Sequence, residues 1–292
     1  MWALGMSILT NAGIYLLFKW FEKNNTQIFH AIVVNYLVAF AIGIAMVPDL
    51  EMAIQGASCF PDWAVAALLL GVLFIYIFNM AARTALKSGV TVTTVASKMS
   101  LALAVLLFVC TDPSEHITAL EGIAIVLALA GVIFTSSKGE KWALNVSNLG
   151  GPFIILLGGT VIDFSIAHFA TQPENESEMA IYSCLSFGVA GLIGSVIILY
   201  RSLFLKIIPS FRDLFSGIML GIVNYGSIYF LVIAYNSEVM EKSTLLPLNN
   251  LGVVVVSALG AVMIFKERLS RPNWAGLLLS LLALILLTWE QW

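Results

Sequence analysis

The chain has 292 residues, 60% of them hydrophobic and only 11% charged, with a mean hydropathy of +0.97. A soluble domain carries roughly 45–50% apolar and about 25% charged residues, so soluble globular folding is excluded. The net charge of −3, with basic residues scattered singly, leaves no electrostatic footprint for nucleic acid.

A helix needs about 20 apolar residues to cross ~30 Å of hydrocarbon, and the chain supplies such a stretch ten times. The spans fall at 2–18, 28–47, 62–82, 90–109, 118–136, 149–170, 179–200, 213–235, 244–265 and 272–289. The first has no basic n-region or small-residue cleavage site and is read as retained. Pro48, Pro61, Pro113, Pro173 and Pro209 mark boundaries at which helices stop. Cys59, Cys110 and Cys184 have no metal or redox spacing. No cofactor and no metal is implied, and His30, His116 and His168 are too far apart for a catalytic cluster, so the sequence reads as no enzyme.

Lys and Arg of short loops stay on the cytoplasmic side. All fourteen basic residues except Lys98 and Lys242 fall in the odd-numbered loops. The even-numbered loops are acidic, with Asp49, Glu51, Asp112, Glu115, Glu174 and Glu238 among others. The rule puts loops 1, 3, 5, 7 and 9 inside and both termini outside the cell (inner) membrane.

Spans 3–5 read against spans 8–10 with a small shift in register. Gly71 falls on Gly221, Lys98 on Asn250, Glu115 on Glu267 and Gly122 on Gly276. An odd-numbered half copied once lies inverted relative to its partner, the plan of carriers whose site lies near the midplane. The expected fold is all-α and integral to the membrane: ten transmembrane helices in two inverted five-helix repeats, 1–137 and 149–292, joined by a loop at 138–148.

Ten spans in a five-plus-five repeat, each half closing with a Glu-containing turn and a Gly-bearing apolar helix, resemble the drug/metabolite transporter superfamily, in particular its EamA-type members. The resemblance implies a central cavity ringed by spans 1–4 and 6–9, alternating access, and spans 5 and 10 left at the periphery to pair with a second copy. It also implies cytoplasmic termini, against the charge bias of this chain.

Lys98 lies near mid-membrane in span 4, and a charge there must face a protein interior or a water-filled cavity. Asp163 in span 6 is the intramembrane carboxylate, either an ion-pair partner of Lys98 or a site for an ammonium group or coupling proton. Ser97 and Ser100 flank Lys98. Pro247 is expected to interrupt span 9 beside Asn249 and Asn250, at the position that matches Lys98 in the other half. Discontinuous helices at matching positions point to a carrier's binding site, so Lys98, Ser97, Ser100, Asn249 and Asn250 form its expected core. Asn11, Asn79, Tyr225 and Tyr229 join it as polar residues at helical spacing; Asn35, Tyr36, Tyr15, Tyr76, Asn224 and Asn236 belong to the same pattern, and Asn pairs that only join helices explain it equally well. Gly188, Gly191 and Gly194, like Gly217 and Gly221, signal close helix packing, and Gly276 with Ser280 suits a contact with a second copy. The expected function is secondary transport of a small amino-acid-like or organic anionic metabolite through the bilayer. The alternatives are a flippase or carrier of phosphorylated or lipid-linked sugars, and a multidrug exporter.

Overall fold

The computed structural model describes residues 1–111, 117–137, 146–169, 176–237 and 242–289, with backbone alone at 146–147, 176–180, 236, 242–243 and 289. Glu115, His116, the side chain of Asn236 and loop residues 138–145 lie outside the described residues. Every described element is helical: α1 (Trp2–Lys23), α2 (Ile28–Ala45), α3 (Leu50–Ser58), α4 (Asp62–Ser88), α5 (Val90–Lys98), α6 (Ser100–Thr111), α7 (Ala119–Thr135), α8 (Val146–Phe169), α9 (Glu176–Leu205), α10 (Phe211–Asn236), α11 (Lys242–Phe265) and α12 (Arg271–Trp289). Among the described residues, nine helical stretches, with α5 and α6 taken together, are long and apolar enough to cross a membrane. The apolar α7 has 17 residues, about 25 Å of helix.

Three features differ from the sequence reading. First, α1, α4 and α9 run past their expected ends to Lys23, Ser88 and Leu205. Lys19, Lys23, Arg83, Lys87 and Arg201 therefore sit on helical turns rather than in loops. No breaker intervenes at those ends, and cations near a C-terminus complement the carbonyl end of the helix. Second, the loop after α2 holds a short helix, α3, whose N-cap Asp49 accepts a hydrogen bond from the Met52 amide at 3.0 Å.

Third, the interruption falls in span 4 and not in span 9. Pro247 sits inside an unbroken α11. It lies in the second turn, where its missing N–H removes one bond close to the helix start. Span 4 breaks instead at Met99, between α5 and α6, without glycine or proline. The hydroxyls of Thr93 and Thr94 bond back to the carbonyls of Gly89 and Val90 at 2.9 Å each. Ser100 does the same to the Ser97 carbonyl at 2.6 Å. Such side chains compete with the backbone ladder and bend helices.

The chain forms two compact units, residues 1–20, 80–164 and 226–292 in the first and 21–79 and 165–225 in the second. Each draws on both halves of the sequence. In the first unit α7 packs along α12, antiparallel, because Gly131 meets Ser280 while Thr135 meets Gly276. Gly276 and Ser280, the spacing offered for a second copy, are buried here against α7 of the same chain. Ser270 caps α12, and Asn273 bonds back to the Ser270 amide at 2.9 Å. The Asn273 amide group also donates to the carbonyls of Thr135 (2.6 Å) and Ser137 (2.9 Å). These are orphan carbonyls at the end of α7. α11 runs parallel to α1, with Gly252 against Ile8 and Gly260 against Leu16.

In the second unit α2 and α9 are antiparallel, with Gly188, Gly191 and Gly194 facing Phe40, Leu37 and Val33 in turn. α4 lies parallel to α9, and α10 parallel to α2. Gly71 lies against Ser186 and Val189, and Gly221 against Asn35 and Val38. Ser210 and Asp213 cap α10: the Ser210 amide donates to Asp213 Oδ2 at 2.8 Å and the Gln27 amide to Oδ1 at 2.7 Å. His30 Nδ1 lies 3.2 Å from the same buried carboxylate. The two carboxamides of Asn35 and Asn224 meet at 3.1 Å.

Candidate functional site

The break at Met99 organises the polar groups of the first unit. Lys98 is the last residue of α5 and Ser100 the first of α6. From Val90 at 1.5 Å per residue, Lys98 lies about 12 Å along the span. Its side chain is half-buried and makes no hydrogen bond or ion pair among the described residues. Asp163 on α8 is near enough for the two charges to interact, but its carboxylate takes the Ser100 hydroxyl instead, with Oδ2 2.5 Å from Oγ.

Ser100 carries one hydroxyl proton and has two acceptors, Asp163 and the Ser97 carbonyl. Its backbone carbonyl also lies 3.4 Å from the Thr160 hydroxyl. Gly159 makes this approach of α8 available, since a methyl group there would fall 2.9 Å from Ser100 Cβ. On the other side Tyr15 of α1 donates to the Ser97 hydroxyl at 2.8 Å. The break thus gathers α1, α5, α6 and α8 around a lysine that none of them neutralises by contact.

α11 packs against α5 and contributes Asn249 and Asn250, 0% and 7% exposed. Both polar atoms of the Asn249 side chain are buried without a hydrogen-bond partner. An unsatisfied buried amide costs about 1–3 kcal/mol per group, and nearly all buried polar groups in proteins are bonded. A primary amide with both polar atoms unpartnered can accept from an ammonium group and donate to a carboxylate.

The other residues named from the sequence are spread more widely. Asn11 is half-buried on α1. Tyr229 is 40% exposed and packs edge-on to Phe230. Asn79 and Tyr225 belong to the second unit; Asn79 is buried there, and the Tyr225 ring faces Gly43. Tyr36 is buried in the second unit, donates to the Phe74 carbonyl at 2.9 Å and lies in a ring cluster with Phe74, Phe78 and Phe187. His168 and Tyr76 are exposed. Tyr15 belongs to the polar pattern read from the sequence, though not as the partner of Ser97; two structural polar residues escaped that reading, Asp213 as a clamp on α2 and Asn273 as a clamp on α7. Both carry a legible signal, Ser-x-x-Asp at 210–213 and Ser-x-x-Asn at 270–273, which is a capping-box pattern.

Glu267, between α11 and α12, reaches the other end of α5. The Val90 amide donates to its Oε2 at 3.1 Å, and Gly89, with φ +108°, has no side chain to obstruct it. Burial pushes this carboxyl above its usual value, against the opposing pull of the Val90 and Thr91 amides and Lys19. A carboxyl raised in the folded state binds its proton more tightly folded than unfolded. Stability then falls as pH rises from the ordinary Glu value through the raised one. Glu267→Gln, which retains an acceptor for the Val90 amide, is expected to flatten that part of a melting-temperature profile against pH. An unchanged slope would show that the proton is taken up elsewhere.

No family model matches the chain. It is similar to an uncharacterized protein of Haemophilus influenzae, 26% identical over 291 residues that cover 96% of this chain and 95% of the other. Its fold is similar to that of a protein solved by crystallography, with a TM-score of 0.54 and 17% identity over 97% of this chain and 98% of that one. At that identity the likeness speaks to fold alone. Both similarities run end to end, and the apolar helices are those of an all-helical, multi-pass integral membrane protein.

Proposed function

We propose that the chain is a secondary transporter, not an enzyme, moving a small amino-acid-like or organic anionic metabolite by alternating access. In this reading it has ten spans in two inverted five-span repeats, in the manner of EamA-type drug/metabolite transporters. Three helix pairings support the repeat. α2 with α9, α5 with α11, and α7 with α12 each join a span to the one five positions later. The first and last are antiparallel, as inversion requires. Gly71 on Ser186 and Val189 and Gly221 on Asn35 and Val38 are the same contact made twice. The tenth crossing rests on α7. α6 and α8 run parallel, Ser100 beside Gly159 and Phe108 beside Phe164, and two parallel neighbours need a span returning between them.

The observation that carries the transport reading is Lys98: a lysine half-buried about 12 Å along a span, at a helix break, with no ion pair among the described residues. The orphaned Asn249 carboxamide on the adjoining α11 adds a donor and an acceptor. Together they suit the carboxylate and ammonium ends of a zwitterion or a simple organic anion. A thermal-shift screen of the purified protein against amino acids, organic acids, sugar phosphates, nucleotide sugars and lipophilic cations tests this. A ligand that binds only the folded state stabilises it by RT ln(1 + [L]/Kd), so millimolar binders register. Stabilisation by amino or organic acids supports the reading. Stabilisation by phosphorylated sugars alone, lost in Lys98→Ala, would move Lys98 to a phosphate contact, and stabilisation by cations alone would overturn the anion site.

The same reading sets the odd-numbered loops in the cytoplasm and both termini outside. Cys59, in loop 2, and Cys110, in the last turn of α6 beside loop 4, are exposed, and Cys184 is buried. An impermeant maleimide added to intact cells is expected to label Cys59 and Cys110. Protection of both until lysis, with labelling afterwards, would reverse the orientation.

A further inference from the structure

The loop end of the first unit holds a cavity of about 500 Å3, where α4 passes to α5, α7 stops and α11 passes to α12. Ser88, Ser136, Ser137, Ser270 and Arg268 are among the residues that line it. Arg268 is exposed, as are Lys87, Lys266 and Arg271 on the adjoining turns. None of these four side chains makes a hydrogen bond or ion pair among the described residues. Glu267 also borders the cavity, but its carboxylate is engaged by the start of α5 through the Val90 amide. The balance of uncommitted charge is positive.

Spans end here, so the cavity opens at the boundary between hydrocarbon and water. Met263, Ile264 and Trp274, at 76%, 61% and 46% exposure, give the adjoining surface of α11 and α12 an apolar face, with the tryptophan at the depth such residues favour. A pocket between spans at this level, with an arginine in its lining and three more cations on the adjoining turns, is the chemistry that takes phosphate headgroups. Guanidinium binds phosphate through two parallel hydrogen bonds, and Ser88 adds a hydroxyl donor, whereas those of Ser136, Ser137 and Ser270 already donate to the Val132 and Ile133 carbonyls and to Asn273 Oδ1. Lys98 lies at the far end of α5 from Val90 and Ser88, so this location is separate from the lysine at the break.

We propose that the cavity is a binding site for a phosphate group, carried by an anionic phospholipid headgroup or by a soluble phosphate ester. The test uses the full-length protein in detergent, titrated with dioctanoyl phosphatidylglycerol, dioctanoyl phosphatidylcholine and glycerol 3-phosphate and read by thermal shift and native mass spectrometry. Saturable stabilisation by phosphatidylglycerol is expected, with affinity at least about tenfold weaker in Lys266→Ala/Arg268→Ala and unchanged in Lys98→Ala. Both replaced side chains are exposed and unpaired, so the variant is expected to fold. A response to phosphatidylglycerol alone assigns the lipid; a response to glycerol 3-phosphate as well assigns the phosphate group itself. Equal binding by phosphatidylcholine, equal binding by the double variant, loss of binding in Lys98→Ala, or no saturable response would each overturn the site.

Discussion

Lys98→Ala is expected to melt at a higher temperature than the wild type without ligand, and to lose the shift that an anionic or zwitterionic ligand gives the wild type. A lysine at the centre of a span costs about 2.5–3.5 kcal/mol on insertion scales, and no ion pair among the described residues offsets that cost. Removing it relieves the folded protein. A structural lysine predicts the opposite sign: if Lys98 held Asp163 in a buried ion pair, its loss would strand a carboxylate and destabilise by about 3–5 kcal/mol. The geometry favours the first sign, because Asp163 is bonded to Ser100 at 2.5 Å. Ligand affinity should fall by about 2 kcal/mol or more, roughly thirtyfold, the usual effect of truncating one member of a desolvated charge pair. A variant less stable than wild type, still responding to the same ligands, would make Lys98 a structural residue. Residues at binding sites commonly reduce stability in this way.

Lys98 was legible in the sequence because a lone charge in an apolar window has few explanations in a bilayer. The helix break beside it was not. It holds neither glycine nor proline, and the hydroxyl-to-carbonyl bonds of Thr93, Thr94 and Ser100 around it recur at Ser186 and Ser195 inside an intact α9. Proline misled in the opposite direction, since Pro247 looks like a breaker by type but is tolerated near the start of α11. Polar spacing identified faces without identifying neighbours: Asn249 proved buried and unpartnered, whereas Asn79 and Tyr225 went to the second unit.

Nine of the ten expected spans fall on helices long and apolar enough to cross a membrane among the described residues, because apolar length is a direct requirement of the bilayer. Their ends were not legible, because an apolar window stops at the first charge while the helix continues into water, as α4 does through Arg83 and Lys87. Side-chain clamps such as Asp213 on Gln27 and Asn273 on Thr135 join residues more than a hundred positions apart. The capping pattern marks the residue, but nothing in it names the distant partner.

Gly276→Val is expected to be the most disruptive single change in the α7–α12 pair, and Gly122→Ala close to neutral, although the two glycines align in the sequence. A Cβ on Gly276 would lie 2.7 Å from the Gly131 carbonyl oxygen and 2.9 Å from the Phe134 carbonyl carbon. These are backbone atoms, so no rotamer change relieves the overlap and the helices must separate. Separation would also pull Asn273 from the carbonyls of Thr135 and Ser137. Overpacking alone typically costs about 1–3 kcal/mol, and each carbonyl left without a partner adds to that. Gly122 has only Ile117 nearby, at 3.9 Å, so alanine there meets open space and gains helix propensity, up to about 1 kcal/mol. The difference follows from the caps. Thr118 begins α7 and Ser270 begins α12, so in cap register Gly122 stands on the first turn and Gly276 one half-turn further in, where the two helices cross. Comparison of melting temperatures for the two variants in one detergent tests this. Equal effects would mean that the two helices do not meet at Gly276.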